Sequence, residues 1–275
     1  MWKSPHGRRL PELGKRVVVM GILNVTRDSF SDGGKYFEAS DALGRALEMA
    51  EEGAEIVDVG AESTRPGAEE LPLEKEMEVL VSRIRLLREN TDIPISADTY
   101  KPEAALAAVE AGADIINDVY AKVVDGGYPM ARVAAKTGAG LIITHDCRGR
   151  EIEGKDFWGQ LEKSLEELAN MAMLEGVEKS QIVLDPGIGF GKSAEQNFEI
   201  VRRAGELRKL GFPVLLGASR KSFLRGIVGG NLENLDAATA AVSAFVAAKF
   251  GADILRVHNV AENAAAVKIG TLLGS

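Results

Sequence analysis

The sequence predicts a closed (β/α)8 barrel, a ring of eight parallel strands with helices between them. Eight short apolar runs fit strands that are buried on both faces, and amphipathic or alanine-rich stretches long enough for helices separate them. Four junctions, "EEGAEIVDVG", "EAGADIINDV", "KTGAGLIITH" and "KFGADILRVH", read almost as copies. Each has a glycine after a helical stretch and then an apolar run, the pattern of a helix that leads into a parallel strand. An open doubly wound sheet is the alternative that the same alternation allows.

The strands are expected in chain order, one at each apolar run. They lie around 17–23, 55–60, 94–98, 114–118, 140–145, 182–185, 213–218 and 254–258. The clearest helices between them are 40–52, 73–90, 158–175 and 235–250. Since no linker or shift in composition divides the chain, we expect one domain over residues 1–275, with 1–16 as an N-terminal extension.

The composition is typical of a soluble globular protein and limits its partners. The formal net charge is −8, from 33 basic and 41 acidic residues, which argues against nucleic acid or a membrane surface as the main partner. Cys147 is the single cysteine, which excludes an internal disulfide framework and fits a reducing cytosol. We find no signal peptide and no apolar stretch of about 20 residues, so a cytoplasmic location is expected.

Polar residues follow each predicted strand at its carboxyl end, where barrels of this type carry their chemistry. In chain order they are Asn24, Asp58, Asp98, Asn117, His145, Asp185, Ser219 and His258. Any one of them could instead cap the next helix or shape a turn. Their convergence on one face favours a functional site.

Basic residues gather after the last two strands, in "SRKSFLRG" and "RVHN". The cluster contains Arg220, Lys221, Arg225, Arg256 and His258 on an otherwise acidic protein. Because this part of a barrel often binds phosphate, the cluster predicts a phosphorylated substrate. The alternative is a solvated basic loop that pairs with surface acids, although Arg256 lies within an apolar strand, where an unpaired charge is costly.

Two further loops suggest ligand contacts. In "LDPGIGFGK" the Asp185 carboxylate suits a ligand edge with two adjacent N–H donors, and Lys192 could reach a phosphate, but the spacing matches neither common nucleotide motif. In "ESTRPGA", Thr64 and Arg65 could hold a carboxylate-bearing ligand, while Pro66 could simply fix the loop. Three histidines and one cysteine at unrelated spacings disfavour imidazole or thiolate metal sites, whereas Mg²⁺ remains compatible.

Seven segments of the sequence together resemble those of the dihydropteroate synthase family, the sulfonamide targets of folate biosynthesis. They are, in family order, "MGILNVTRDSFSDGG", "DVGAESTRPGA", "DTYKP", "IINDV", "DPGIGFGK", "GASRKSFLRG" and "RVHN". The similarity runs from Val17 to Gly270. It implies a single (β/α)8 barrel and the condensation of 6-hydroxymethyl-7,8-dihydropterin pyrophosphate with p-aminobenzoate to 7,8-dihydropteroate and pyrophosphate, assisted by Mg²⁺.

The matching positions imply roles for individual residues. The implied catalytic set is Asp98, Lys221, Arg256 and His258, and the implied pterin site is Asp98, Asn117, Asp185, Lys221 and Arg256. Pyrophosphate is expected at Asn24, Arg256 and His258, with Asn24 also at the metal. The p-aminobenzoate pocket is expected to contain Thr64, Arg65, Pro66, Phe190, Lys221 and Ser222.

The stretch "NVTRDSFSDGG" at 24–34 predicts a mobile loop that closes on the loaded site, with Asp28, Ser29 and Phe30 in it and glycines as hinges. An ordinary polar loop is the alternative. Four positions depart from the usual family pattern, and they leave room for a divergent homologue. Arg27 stands where the family usually has Pro, Ala61 for Gly, Thr144 for Met and Asn259 for Asp.

Two other functions use the same fold and pterin pocket. One is a methyltransferase that acts on methyltetrahydrofolate and a corrinoid protein, which should not need "STRPGA" or "SRKSF". The other is a catalytically silent pterin-binding homologue. The resemblance also implies a homodimer formed through helices, and the alanine-rich "DAATAAVSAFVAAKF" could serve, although such a helix could equally pack only on its own barrel.

Overall fold

The computed structural model describes residues 2–25, 39–62, 70–149 and 156–275, and strands alternate with helices through these ranges. The strands are β1 (Val18–Asn24), β2 (Ile56–Gly60), β3 (Ile95–Asp98), β4 (Ile115–Asp118), β5 (Gly140–Thr144), β6 (Ile182–Asp185), β7 (Leu215–Leu216) and β8 (Ile254–Val257). The helices are α1 (Ala39–Glu52), α2 (Leu73–Asn90), α3 (Pro102–Ala111), α4 (Pro129–Thr137), α5 (Phe157–Leu174), α6 (Ala194–Arg203), α7 (Ser222–Val228), α8 (Leu232–Ala248) and α9 (Val260–Gly274). Apart from β7, the strands agree closely with the expected ranges.

The eight strands form one parallel sheet in the order β6-β5-β4-β3-β2-β1-β8-β7. The two edge strands also meet. Leu184 of β6 forms a parallel bridge with Val214 beside β7, and its N–H donates to the Pro213 carbonyl at 2.9 Å. The sheet is therefore a nearly closed (β/α)8 barrel, which confirms the predicted fold and excludes the open doubly wound sheet.

The region around β7 differs most from the expectation. Only 215–216 are regular strand, because Pro213 has no N–H to donate and the Val214 N–H bonds to the Asp253 side chain at 2.8 Å. Two helices, α7 and α8, then separate β7 from β8, where one was expected.

The barrel interior is filled at its amino-terminal end by one apolar residue from most strands. This inner cluster contains Val18, Met20, Ile56, Ile115, Ile142, Val183, Leu215 and Ile254, together with Trp2 and Leu10 from the N-terminal extension. Trp2 lies so close to Gly140 that a Cβ added there would meet its Nε1 at 2.1 Å. The extension therefore closes the end of the barrel opposite the polar strand ends.

A second apolar core lies between the outer face of the strands and the helices, with residues such as Leu80, Ile84, Leu161 and Leu165 fully buried. Because the inner cluster and this outer core together hold the strands rigidly, the side chains at the carboxyl ends of the strands are fixed in position. Within the described residues, no helix has both the length and the apolar character needed to cross a bilayer.

Candidate active site

A buried ion-pair network lies at the carboxyl ends of β2, β3, β4 and β8. Arg256 donates from Nε to Asp58 Oδ2 at 2.6 Å and from Nη2 to Asp98 Oδ2. Asn117 donates from Nδ2 to Asp58 Oδ2 at 3.1 Å. Asp58, Asp98 and Asn117 are all buried. The structure thus joins two acids, an amide and a cation that are far apart in the sequence.

One guanidinium serves two carboxylates in this network. Burial raises the pKa of Asp98 to about 7; the charge of Arg256 opposes this increase and that of Asp58 adds to it. For Arg256, burial alone would lower the pKa, but Asp58 and Asp98 outweigh it and the pKa is raised. Arg256 is therefore permanently charged, whereas the charge on Asp98 can change near neutral pH.

A second acid and cation, Asp185 and Lys221, come from the ends of β6 and β7. Asp185 Oδ1 accepts the Gly187 N–H at 2.7 Å. The Lys221 ammonium donates to the Ile188 carbonyl and lies 4.5 Å from the centroid of the Phe190 ring. Burial raises the pKa of Asp185 and lowers that of Lys221 to about 7, and attraction between the two opposes both shifts. The distance between the Lys221 ammonium and the Phe190 ring shows that these two residues, both expected at the p-aminobenzoate pocket, are in contact.

The glycine-rich turn after β6 is held from inside by Lys192. Its ammonium donates to the carbonyls of His145, Gly187 and Phe190 at 3.0, 2.9 and 3.2 Å. All three N–H groups are thus used, and the expectation that Lys192 reaches a phosphate is wrong. Gly187 has a φ of +70°, and a Cβ there would lie 2.0 Å from the His145 oxygen, so glycine is required.

The predicted basic cluster separates into residues with different surroundings. Arg220 pairs with Asp236 of α8 through contacts of 2.6 and 2.9 Å, which makes it a structural residue rather than part of the phosphate site. Arg225 lies exposed on α7. His258 contacts Ser219 Oγ with Nδ1 at 2.9 Å and with its backbone N–H at 3.1 Å, so its ring is held in place at the end of β8. Arg256 and His258 therefore carry the phosphate prediction.

Several buried polar atoms around this network have no hydrogen-bond partner. They are Asp58 Oδ1, Ser96 Oγ, Asp98 Oδ1 and Thr144 Oγ1. Buried polar atoms are nearly always paired in folded proteins. Several unpaired polar atoms at this end of the barrel indicate a site for a polar ligand that forms several hydrogen bonds.

A row of stacked side chains on the rim was not predicted. The Arg148 guanidinium lies between two rings, 4.3 Å from the Tyr120 centroid and 4.7 Å from that of Phe190, and pairs with Asp146 at 2.9 Å. The Tyr120 ring in turn lies 4.6 Å from Tyr100. Aromatic residues that each follow a different strand end were the signal that could have revealed this row. The row links Phe190 to loops from three other strands.

A second unpredicted cluster surrounds Lys101 in the "DTYKP" motif. Its ammonium lies 2.7 Å from Glu62 Oε2, 2.9 Å from the buried Glu76 Oε2 and 2.5 Å from the Leu71 carbonyl oxygen. Thr99 Oγ1 donates to Glu76 Oε1 at 2.5 Å. Since Glu62 and Leu71 border the segment that contains "STRPGA", Lys101 joins the two sides of that segment.

The remaining predicted residues divide between described and undescribed parts of the chain. Asn24 is half-buried at the end of β1, where it is paired in register with Gly60, and Ser222 is exposed at the start of α7. Six predicted residues, together with Arg27, lie outside the described residues: Asp28, Ser29, Phe30, Thr64, Arg65 and Pro66.

Three of the four departures from the family pattern, Asn259, Thr144 and Ala61, lie within the described residues. Asn259 caps α9 by accepting the Glu262 N–H at 3.2 Å, and it donates to Asp236 at 3.3 Å. Thr144 is fully buried at the end of β5. Ala61 is buried directly after β2.

Among the described residues, no three His, Cys, Asp or Glu side chains are arranged to hold a metal ion. The Asn24 amide oxygen at the end of β1 is a suitable hard ligand, but one oxygen is too few for Mg²⁺. These residues therefore fit Mg²⁺ only if a bound phosphate group and water supply the other oxygens.

Comparison with known proteins agrees with this arrangement. The family model described as "Pterin binding enzyme" matches residues 20–258. The dihydropteroate synthase of Clostridium beijerinckii is 41% identical over 95% of this chain and 96% of its own length, and that of Synechocystis sp. is 40% identical over 98% and 94%.

Solved structures agree as well. A dihydropteroate synthase from Clostridium difficile, in the presence of pteroic acid, has a TM-score of 0.86 at 39% identity and covers 96% of this chain and 99% of its own. The Xanthomonas albilineans enzyme with 4-aminobenzoic acid has a TM-score of 0.85 at 37% identity over 95% and 94%. The chain therefore belongs to the dihydropteroate synthase family of pterin-binding enzymes.

Proposed function

We propose that this protein joins 6-hydroxymethyl-7,8-dihydropterin pyrophosphate to p-aminobenzoate, forming the C–N bond of 7,8-dihydropteroate and releasing pyrophosphate. The observation that carries the proposal is the Arg256 network, because its carboxylates and amide suit a pterin and its cation suits a departing pyrophosphate. The relatives with pteroic acid and 4-aminobenzoic acid support the same substrates.

The pterin is bound by Asp98, Asn117 and Asp185, with Lys221 and Arg256 beside it. The Asp185 carboxylate accepts from adjacent N–H groups of the ring. Two free oxygens in the network, Asp58 Oδ1 and Asp98 Oδ1, support a ligand rich in N–H donors. Burial of these groups strengthens each hydrogen bond they make to the ring.

The pyrophosphate is bound by Asn24, Arg256 and His258. Mg²⁺, held by Asn24 together with phosphate oxygens and water, would neutralise charge on the leaving group when bound. Arg256 stabilises the same charge. Ser219 holds the His258 ring in position to bind the phosphate oxygens. Arg256 also contacts Asp98. The cation that stabilises the departing pyrophosphate therefore lies beside a carboxylate that binds the pterin.

The reaction needs electrostatic stabilisation rather than a covalent intermediate. Cleavage of the bond between the pterin methylene and the pyrophosphate oxygen leaves positive charge on the methylene, which the Asp98 carboxylate favours. The neutral amine of p-aminobenzoate attacks this carbon with its lone pair and then loses a proton to solvent. No strong general base is required. Phe190, Lys221 and Ser222 are the described residues of the proposed p-aminobenzoate pocket; Thr64, Arg65 and Pro66, implied there by the resemblance, lie outside the described residues.

One incubation separates this function from the two alternatives. Purified protein is mixed with the pterin pyrophosphate, Mg²⁺ and labelled p-aminobenzoate, and dihydropteroate is measured by chromatography. Label in dihydropteroate supports the synthase. Tight pterin binding without label in product would instead indicate the silent homologue, and methyl transfer from methyltetrahydrofolate to a corrinoid protein would indicate the methyltransferase.

We also propose that the protein is a cytoplasmic homodimer. Apolar side chains are exposed on one face of α9, with Ile269 57%, Leu272 72% and Leu273 77% accessible, and Phe245 of the adjoining α8 is 39% accessible. Such a surface is typical of a subunit interface. The free, buried Cys147 thiol is compatible with a reducing compartment.

A further inference from the structure

Thr144 places an unpaired hydroxyl inside the barrel. It is the last residue of β5, it is 0% exposed, and its Oγ1 has no hydrogen-bond partner. Ile142, two residues earlier, belongs to the inner cluster of the barrel. Because side chains two residues apart in a strand point to the same face, Thr144 also points inward.

The register places Thr144 among the groups that the proposed function assigns to the pterin. It pairs with Asp185 of β6, while Asn117 of β4 pairs with Ile142 on the same strand as Thr144. Thr144 thus lies between the strands that carry Asp185 and Asn117. A threonine hydroxyl buried without a partner destabilises a protein unless something bonds to it.

The chemistry of the hydroxyl differs from that of its neighbours. Asp58, Asp98 and Asp185 can only accept hydrogen bonds when ionised, and the Asn117 amide gives one of its two N–H groups to Asp58. Thr144 can donate as well as accept. Beside the cationic donors Lys221 and Arg256, it therefore adds a neutral donor for an acceptor atom of a heterocycle, such as a ring nitrogen or an exocyclic carbonyl oxygen.

We propose that the Thr144 hydroxyl donates a hydrogen bond to an acceptor atom of the bound pterin ring and is a specificity-determining residue of this enzyme. The inference rests on the proposed function, since it deepens the recognition of the same substrate. It assigns a polar contact to a position where the family usually has the apolar methionine.

Thr144→Val tests this, because valine keeps the shape and removes the hydroxyl. Binding of 6-hydroxymethylpterin, which has no leaving group, is measured by calorimetry together with the Tm of the unliganded protein. We expect a rise in Kd of roughly tenfold. The Tm should stay unchanged or rise, because no existing hydrogen bond is lost. In steady-state assays the KM for the pterin pyrophosphate should rise while that for p-aminobenzoate stays the same.

Thr137→Val is the matched control. Thr137 Oγ1 already donates to the Val133 carbonyl at 2.8 Å at the end of α4, so its loss should lower the Tm and leave pterin binding unchanged. An unchanged Kd for Thr144→Val, or a Tm loss like that of the control, overturns the inference. If the wild-type protein itself does not bind 6-hydroxymethylpterin, the proposed function fails and the inference falls with it. Wild-type binding with an unaffected variant refutes the inference alone.

Discussion

Lys101→Met removes an ammonium that several buried acceptors share. Lys101 is 11% exposed, and its partners Glu62 and Glu76 are 9% and 0% exposed. Methionine fills a similar volume without a charge, so the change leaves both carboxylates without this cation. Hydrogen bonds from Thr99 to Glu76 and from Tyr100 to Glu62 persist, so neither carboxylate becomes wholly unpaired.

The expected loss follows from the burial of these groups. Removing one partner of a buried ion pair costs about 3–5 kcal/mol. The two surviving hydrogen bonds favour the lower end, about 3 kcal/mol of unfolding free energy, which corresponds to a fall in Tm of about 6–12 °C for a chain of this size. Adding Glu76→Gln should recover at least about 1 kcal/mol, because it removes the charge that the first change left buried.

Urea denaturation and calorimetry measure these differences. Lys75→Met is the control, since Lys75 pairs with Glu78 on the exposed surface and should cost less than about 1 kcal/mol. Activity assays on Lys101→Met should give a larger rise in KM for p-aminobenzoate than for the pterin pyrophosphate, because Glu62 and Leu71 border the segment with the expected p-aminobenzoate residues. Equal stability losses for Lys101→Met and Lys75→Met, or no recovery when Glu76→Gln is added to Lys101→Met, would contradict a stabilising buried ion pair at Lys101.

Three further outcomes are expected. The proposed reaction requires Asp98 as a carboxylate and Lys221 as an ammonium. The value of kcat/KM should therefore rise with pH through about 7 as Asp98 ionises and fall as Lys221 loses its proton, which gives a narrow maximum near pH 7. A flat profile from pH 6 to 8 would count against both assignments. Lys221→Ala should lose binding of both substrates in calorimetry, and unchanged steady-state kinetics would refute that role. Trp2→Ala should destabilise the protein by about 3–5 kcal/mol in urea titrations, because Trp2 fills the closed end of the barrel. The kcat at 25 °C should stay the same. A stability change under about 1 kcal/mol would show that the extension does not close the barrel.

Strand positions and the polar residues at their ends could be read from the sequence because parallel strands converge at one end. Asp98, Asn117 and Asp185 follow apolar runs, so the fold alone determined that they would lie on one rim. Arg256 was identifiable for a related reason, since a charge within an apolar strand needs a partner, and Asp58 and Asp98 supply it.

Local sequence could not distinguish cations that bind ligand from cations that bind the protein. Arg220 and Lys221 are adjacent, yet Arg220 pairs with Asp236, which lies on α8, 16 residues further along the chain. Lys192 likewise bonds to backbone carbonyls, and one of them, that of His145, lies 47 residues away in the sequence. The same reason explains why the stacking of Arg148 was missed, because its two rings come from separate loops.

The most direct test of the proposed substrate site is a crystal structure with an unreactive pterin diphosphate analogue bound. We expect the ring beside Asp98, Asn117 and Asp185, with the diphosphate at Arg256 and His258. A ring bound outside the barrel mouth, or a diphosphate that contacts neither Arg256 nor His258, would contradict it.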